Sequence, residues 1–294
     1  MPDSHPHGSP MRLVLATLNA LIRGIACRML IGRNASREAA ELLRSDPLPE
    51  EIVRRRLPGY LQSMSWEARN IAIKLIVRLR DPAFYPVLVS KLLNGSDAGI
   101  VVRNVITGIL EIGLNTAEVE EGLRRAVHDG YWEVRCEAAR VLSELFEPTA
   151  ERAAVLAGML APKPHLHEPV ALGERNFEVR AAVARALGRC SPPEIALPVL
   201  GLLARDSHWM VRHQAAVALV ELSARHTDVA PEAAAVLEAI DVLSDGCQSR
   251  FPFPATVASL RIIIYNGLAH TDAADLQRFY IDVKRGWNRA GSVQ

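Results

Sequence analysis

Five stretches of the chain place apolar side chains at helical spacing behind the same short preface. They are SWEARNIAIKLIVRL (65–79), GIVVRNVITGILEIG (99–113), YWEVRCEAARVLSEL (131–145), NFEVRAAVARALGRC (176–190) and HWMVRHQAAVALVEL (208–222). In the third, Ala138, Val141, Leu142 and Leu145 share one side of a helix, because residues three and four apart stack on the same face. The fifth position of each stretch is an arginine: Arg69, Arg103, Arg135, Arg180 and Arg212. Three positions earlier stands a bulky residue: Trp66, Ile100, Trp132, Phe177 and Trp209. Asp97, Asp129 and Asp206 precede their arginines by six residues, and Glu174 and Ser63 occupy that place in the other two copies. Between the copies lie further amphipathic stretches at 82–93, 117–127 and 193–203. Pro82, Pro148, Pro192 and Pro193 stand where helices should start, since the first helical turn tolerates a missing N–H.

Successive arginines are 34, 32, 45 and 32 residues apart. Such a period holds two helices of three to four turns and two short turns; strand alternation is absent. The predicted unit is helix A, a turn bearing an acid, and helix B bearing the arginine. One such pair cannot bury its apolar face alone, so the units must stack. The turn acid can cap the helix that follows it. Arginine suits a fixed donor fork between turns, so a structural role is expected for all five. Residues 231–270 read as a sixth repeat without the arginine.

This pattern resembles the HEAT-repeat family, in particular the short HEAT-like repeats first associated with bilin lyases. The aspartate six positions before the arginine and the Val-Arg opening of helix B carry the resemblance, over roughly residues 50–270. It implies an all-α fold, a right-handed α-α superhelix (a HEAT-like solenoid) of about five to six helix pairs with flanking helices. It also implies that turn acid and helix-B arginine form a polar ladder between adjacent repeats. Asp97 with Arg103, Asp129 with Arg135 and Asp206 with Arg212 match that motif; Arg180 with Glu174 is a conservative variant, and Ser63 departs from it. The expected organisation is a disordered 1–10, an apolar helix and connection over 11–48, the repeat array over 49–270, and a capping helix and tail over 271–294.

Composition narrows the function classes. Basic and acidic residues nearly cancel, 34 against 33, which gives no support to nucleic-acid binding. Cys27, Cys136, Cys190 and Cys247 are far apart with no paired spacing, so a reduced cytoplasmic chain is expected rather than a zinc or disulfide framework. Residues 11–31 are strongly apolar, but Arg23 and Arg28 interrupt them and would be costly in a bilayer. The expectation is a helix packed on the first repeat, with contact to a membrane surface or a partner as the alternative.

Three enzymatic chemistries make demands that these residues can meet or fail. The HEAT-like deoxyhypusine hydroxylases use His-Glu pairs for two irons. The residues after the ladder arginines here are Asn70-Ile71, Asn104-Val105, Cys136-Glu137, Ala181-Ala182 and His213-Gln214, which rejects that chemistry. A HEAT-like DNA glycosylase needs aromatics at a basic cleft. Trp66, Trp132 and Trp209 recur at one repeat position, which points to packing instead. A lyase-like or accessory role on a tetrapyrrole rests on the style of the repeats alone. His208 and His213 flank a repeat turn, where a capping or exposed role is commoner. His165, His167 and Glu168 lie in the proline-rich interval 161–174, a weak metal motif; no metal or cofactor is expected.

The expectation is therefore a non-catalytic adaptor or scaffold binding a protein partner. Its candidate binding residues follow the arginines along helix B: Lys74, Arg140, Glu144, Arg185 and Arg189. Both signs of charge occur there, which suits a protein better than a phosphate backbone. The 161–174 interval is expected at the edge of that surface.

Overall fold

The computed structural model describes residue 21 and residues 31–161, 173–189 and 192–238; every regular element among them is helical. The expected N-terminal tail, most of the 11–31 helix, most of the 161–174 interval, most of the sixth repeat and the C-terminal cap lie outside the described residues. The elements are α1 (31–44), α2 (Glu50–Leu61), α3 (Trp66–Leu79), α4 (Tyr85–Asn94), α5 (Gly99–Ile112) and α6 (Ala117–Ala126). They continue as α7 (Trp132–Glu144), α8 (Ala150–Gly158), α9 (Phe177–Gly188), α10 (Pro193–Leu203), α11 (Trp209–Arg225) and α12 (Ala230–Glu238). The arginine-bearing B helices are α3, α5, α7, α9 and α11.

Local chemistry explains the boundaries. Ser65, Thr116, Thr149 and Asn176 cap α3, α6, α8 and α9 by accepting from N–H groups of the first turn, where four donors lack helical partners. His208 caps α11 through Nδ1, which accepts from Met210 N–H at 3.3 Å. Pro193 opens α10, and Pro82 opens a 3-10 turn leading into α4. Helix α3 ends on Arg80 at φ 51°, a left-handed conformation that costs a residue with a Cβ about 1 kcal/mol.

The chain forms two compact units, residues 1–91 with 96–112 and residues 92–95 with 113–294. In the first, α3 packs between α2 and α5. Its core side chains Ala68, Ala72, Ile73, Leu75 and Ile76 are wholly buried. In the second, α7, α9 and α11 form one row with α9 in the middle, and α8 and α10 neighbour each other in the other row. Val134, Val141, Val183, Leu187, Leu219 and Leu222 fill the space between the rows. Each large apolar side chain so buried contributes about 1.5–3 kcal/mol. A Cβ at Gly188 would sit 2.7 Å from Ala218 Cα, so α9 and α11 meet backbone to backbone.

The bulky residues before the arginines do not share one environment. Trp66 is 43% exposed at the start of α3, which corrects the expectation of packing at that position. Phe177 is covered instead, its ring stacked on His208 with centroids 3.8 Å apart.

Candidate functional site

Four of the helix-B arginines build a bracket at their own repeat turns. One guanidinium nitrogen of Arg69, Arg135, Arg180 and Arg212 donates to two main-chain carbonyls of its own turn. The acceptors are Ser63 and Met64, Asp129 and Gly130, Glu174 and Arg175, and Asp206 and Ser207, at 2.7–3.2 Å. The remaining edge of the fork reaches the acid of the next turn. Arg69 meets Asp97, Arg135 meets Glu174, and Arg180 meets Asp206, each through two nitrogens. Glu174 and Asp206 therefore each bond the arginine of the preceding repeat with the carboxylate, and the arginine of their own repeat with the carbonyl. Arg212 shows the difference: it meets Asp206 through the main chain, while the Asp206 carboxylate goes to Arg180.

Each acid also orders its own turn. Asp97 accepts from Ala98 N–H, Asp129 from Tyr131 N–H, Glu174 from Asn176 N–H and Asp206 from His208 N–H, at 2.7–2.9 Å. Ser63 cannot reach a preceding arginine as a carboxylate would; its hydroxyl accepts from Ser65 N–H. Lys91 joins the Asp97 pair at 2.7 Å. Burial opposes ionisation of Asp97, but bonds from Arg69, Lys91 and Ala98 outweigh it and hold the pKa at about 2. Arg103 bonds the neighbouring Asn104 side chain, and Asn104 Nδ2 donates to Asn70 Oδ1 at 2.5 Å.

A second inter-repeat pair joins the A helices. Arg152 of α8 grips both carboxylate oxygens of Glu120 on α6, at 2.8 and 2.9 Å, across 32 residues. Sequence reasoning missed it, although that separation equals the repeat period and was the available signal.

Of the candidate binding residues, three form one connected row in the second unit. Arg140 donates to Glu144 at 3.0 Å and to Glu137 at 2.7 Å, both on α7. Arg189, just past the end of α9, reaches the other Glu144 oxygen at 2.6 Å. Arg225 of α11 continues the row by donating to the Arg189 carbonyl at 2.7 Å. These side chains are about a quarter to a third exposed.

Arg185 lies one turn earlier on α9 and acts on a more buried group of residues. Burial, then the Arg185 charge, pushes the His213 pKa down to about 4, so the imidazole is neutral at pH 7. Burial raises the pKa of Glu221, against the charges of Arg189, Arg225 and Arg185. His213 is 2% exposed, so the helix-B position after the arginine is interior in this repeat.

Lys74 belongs to the first unit. It stands on the wall of a groove of about 510 Å³ between α3 and α5. Ile73, Val77, Arg78 and Arg80 line the same side, with Asn104, Thr107, Gly108 and Glu111 opposite.

Cys136 is a free thiol on α7. Burial first, then the Glu178 charge, pushes it up to about 12, the setting of a packing residue rather than a nucleophile. The candidate metal residues His165, His167 and Glu168 lie outside the described residues. Among the described residues no helix is long and apolar enough to cross a membrane.

No curated protein matches the chain. Residues 169–245 match the family profile of HEAT repeats, a span that contains the described helices α9 to α12 and the brackets of the buried Arg180 and Arg212. Every regular element among the described residues is thus helical, and the likeness to HEAT repeats is carried by residues 169–245, within the second unit.

Proposed function

We propose that the chain is a non-catalytic scaffold that binds a protein partner on the helix-B surface of its second unit. The observation that carries this reading is the row Glu137–Arg140–Glu144–Arg189, which alternates in sign across two helices. Paired side chains of this kind are held in fixed positions and can exchange partners with charges of an approaching surface. A polyphosphate would meet a carboxylate at every second position, which opposes a nucleic acid. A tetrapyrrole would need a deep apolar cleft, and a partly exposed row of ion pairs offers none. Arg185 flanks the row, and the 161–174 interval is proposed to border it.

The test is charge reversal. Partners are captured from the native source and identified by mass spectrometry, and the affinity of the strongest is measured for the full chain. Arg140→Glu with Arg189→Glu should weaken that affinity by roughly tenfold or more with unchanged far-ultraviolet dichroism. Unchanged affinity would place the partner elsewhere.

A further inference from the structure

We propose that the groove between α3 and α5 docks an acidic segment of a protein partner, with a carboxylate of that segment on the Lys74 ammonium. The proposal rests on the scaffold reading above and adds a second site, in the first unit, with its own chemistry.

The first observation is compositional. Of 34 basic residues only four are lysines: Lys74, Lys91, Lys163 and Lys284. Lys91 is committed to Asp97. Lys74 is exposed, and it makes no ion pair among the described residues. Apart from Lys91, arginine is the paired cation among the described ion pairs, and Lys74 stands at the groove.

The second observation is uncancelled charge. The groove is lined by three cations, Lys74, Arg78 and Arg80, against one acid, Glu111. Arg78 is held by the Leu43 carbonyl at 2.6 Å and Arg80 by the Glu111 carbonyl at 3.4 Å. Main-chain acceptors fix a guanidinium without neutralising it. The one carboxylate near Arg78, Asp46, is 3.6 Å away and 94% exposed, so solvent screens it. Arg69, Arg135 and Arg180 by contrast each face a turn carboxylate. A concave wall with surplus charge concentrates the field on whatever enters.

The third observation is shape and donors. Lys74, Val77 and Arg78 form one helical stripe, and Asn104, Thr107, Gly108 and Glu111 form the facing one. Gly108 keeps the floor low: a Cβ there would lie 2.6 Å from Val77 Cγ2. Glycine inside a helix costs about 1 kcal/mol relative to alanine, and close approach of the two helices is what it permits. The Asn104 amide has two donors and uses one on Asn70, leaving the other for a carboxylate oxygen. The Asn104–Glu111 stripe is about two turns long, roughly 10 Å, and the Lys74–Arg78 stripe about one turn, so the groove takes three or so residues of extended peptide. That length is too short for the run of phosphates a nucleic acid would present.

The test uses the full chain and a fluorescein-labelled oligoglutamate peptide. Carbodiimide crosslinking, which joins an amine to a carboxylate without a spacer, should link the peptide to Lys74 ahead of Lys91, Lys163 and Lys284, as read by mass spectrometry. By fluorescence anisotropy, Lys74→Ala should weaken binding about tenfold. Arg125→Ala, an exposed cation of the second unit outside both sites, should leave it unchanged; because the readout is the oligoglutamate and not the captured partner, failure of the second-unit surface and failure of the groove are separable. An oligolysine peptide should not bind. Crosslinks equally spread over the lysines, full binding by Lys74→Ala, or tighter competition by short duplex DNA than by unlabelled oligoglutamate would each overturn the proposal.

Discussion

The two units use the same bracket on helix faces that differ in how their charge is settled. In the second unit, Arg140, Glu144 and Arg189 satisfy one another, and Arg180 and Asp206 are nearly wholly buried. In the first unit, Arg69 is 20% exposed in its pair with Asp97, and Lys74 faces an open groove. A repeated motif therefore fixes the turns without fixing the surface they present. The difference teaches that the recurring arginine is the wrong place to look for function, and that the residues between recurrences carry it.

The comparison can be broken first at the brackets. Arg180→Ala strips a buried carboxylate of its partner and leaves two carbonyls without their donor. It should cost about 3–4 kcal/mol in urea unfolding. Arg69→Ala, at a wetter pair, should cost about 2 kcal/mol. Equal losses would show that burial does not separate the units.

Acid sharpens the contrast next. His213 has a folded pKa of about 4, below its ordinary 6.5. A depressed folded pKa means the unfolded chain takes the proton first. Stability present above pH 6.5 is then lost as pH falls toward 4, by about 3 kcal/mol. The His213→Leu variant should lose this dependence in denaturation curves taken across that window. Asp97 behaves in the same direction but lower, since its folded pKa is about 2 against an ordinary 3.8. It should give up about 1–2 kcal/mol between pH 4 and 2 once screening is allowed for. Asp97→Asn should flatten that lower limb only. A first unit that melts with the His213 transition would contradict the assignment.

The smallest effect is expected at Lys74. Lys74→Ala removes an exposed side chain and should move stability by less than about 0.5 kcal/mol, measured in the same urea titration. A larger loss would mean that the groove lysine supports the fold.

The helices were legible because apolar positions recur with the helical period, and the B helices start within a residue or two of their aromatic or bulky marker. The direction of the ladder was not legible. Asp206 and Arg212 are six apart in sequence, yet the carboxylate crosses to Arg180, because a turn acid points toward the stacked neighbour and its own helix presents only a carbonyl-facing fork. The Arg140–Glu144–Arg189 row was partly visible as repeated charge on one face, though spacing could not say that the charges pair with each other. The groove was invisible apart from Lys74. It depends on Gly108 lowering one wall and on Arg80 turning left-handed, and neither is a periodic signal.

The bracket also sets a rule of insertion. Arg135 and Glu174 are 39 residues apart where Arg180 and Asp206 are 26 apart, yet both pairs close with the same two-nitrogen geometry. The added length enters after α8 and before the acid. There Gly173 N–H donates to the Leu160 carbonyl at 2.9 Å and returns the chain to where it left. Growth at that point leaves both ends of the bracket in place, so loop closure is the only penalty, and it rises slowly with length. Growth between acid and arginine would pull the guanidinium off its carbonyls. The molecule thus separates a site where its lineage can experiment from six-residue intervals where it cannot.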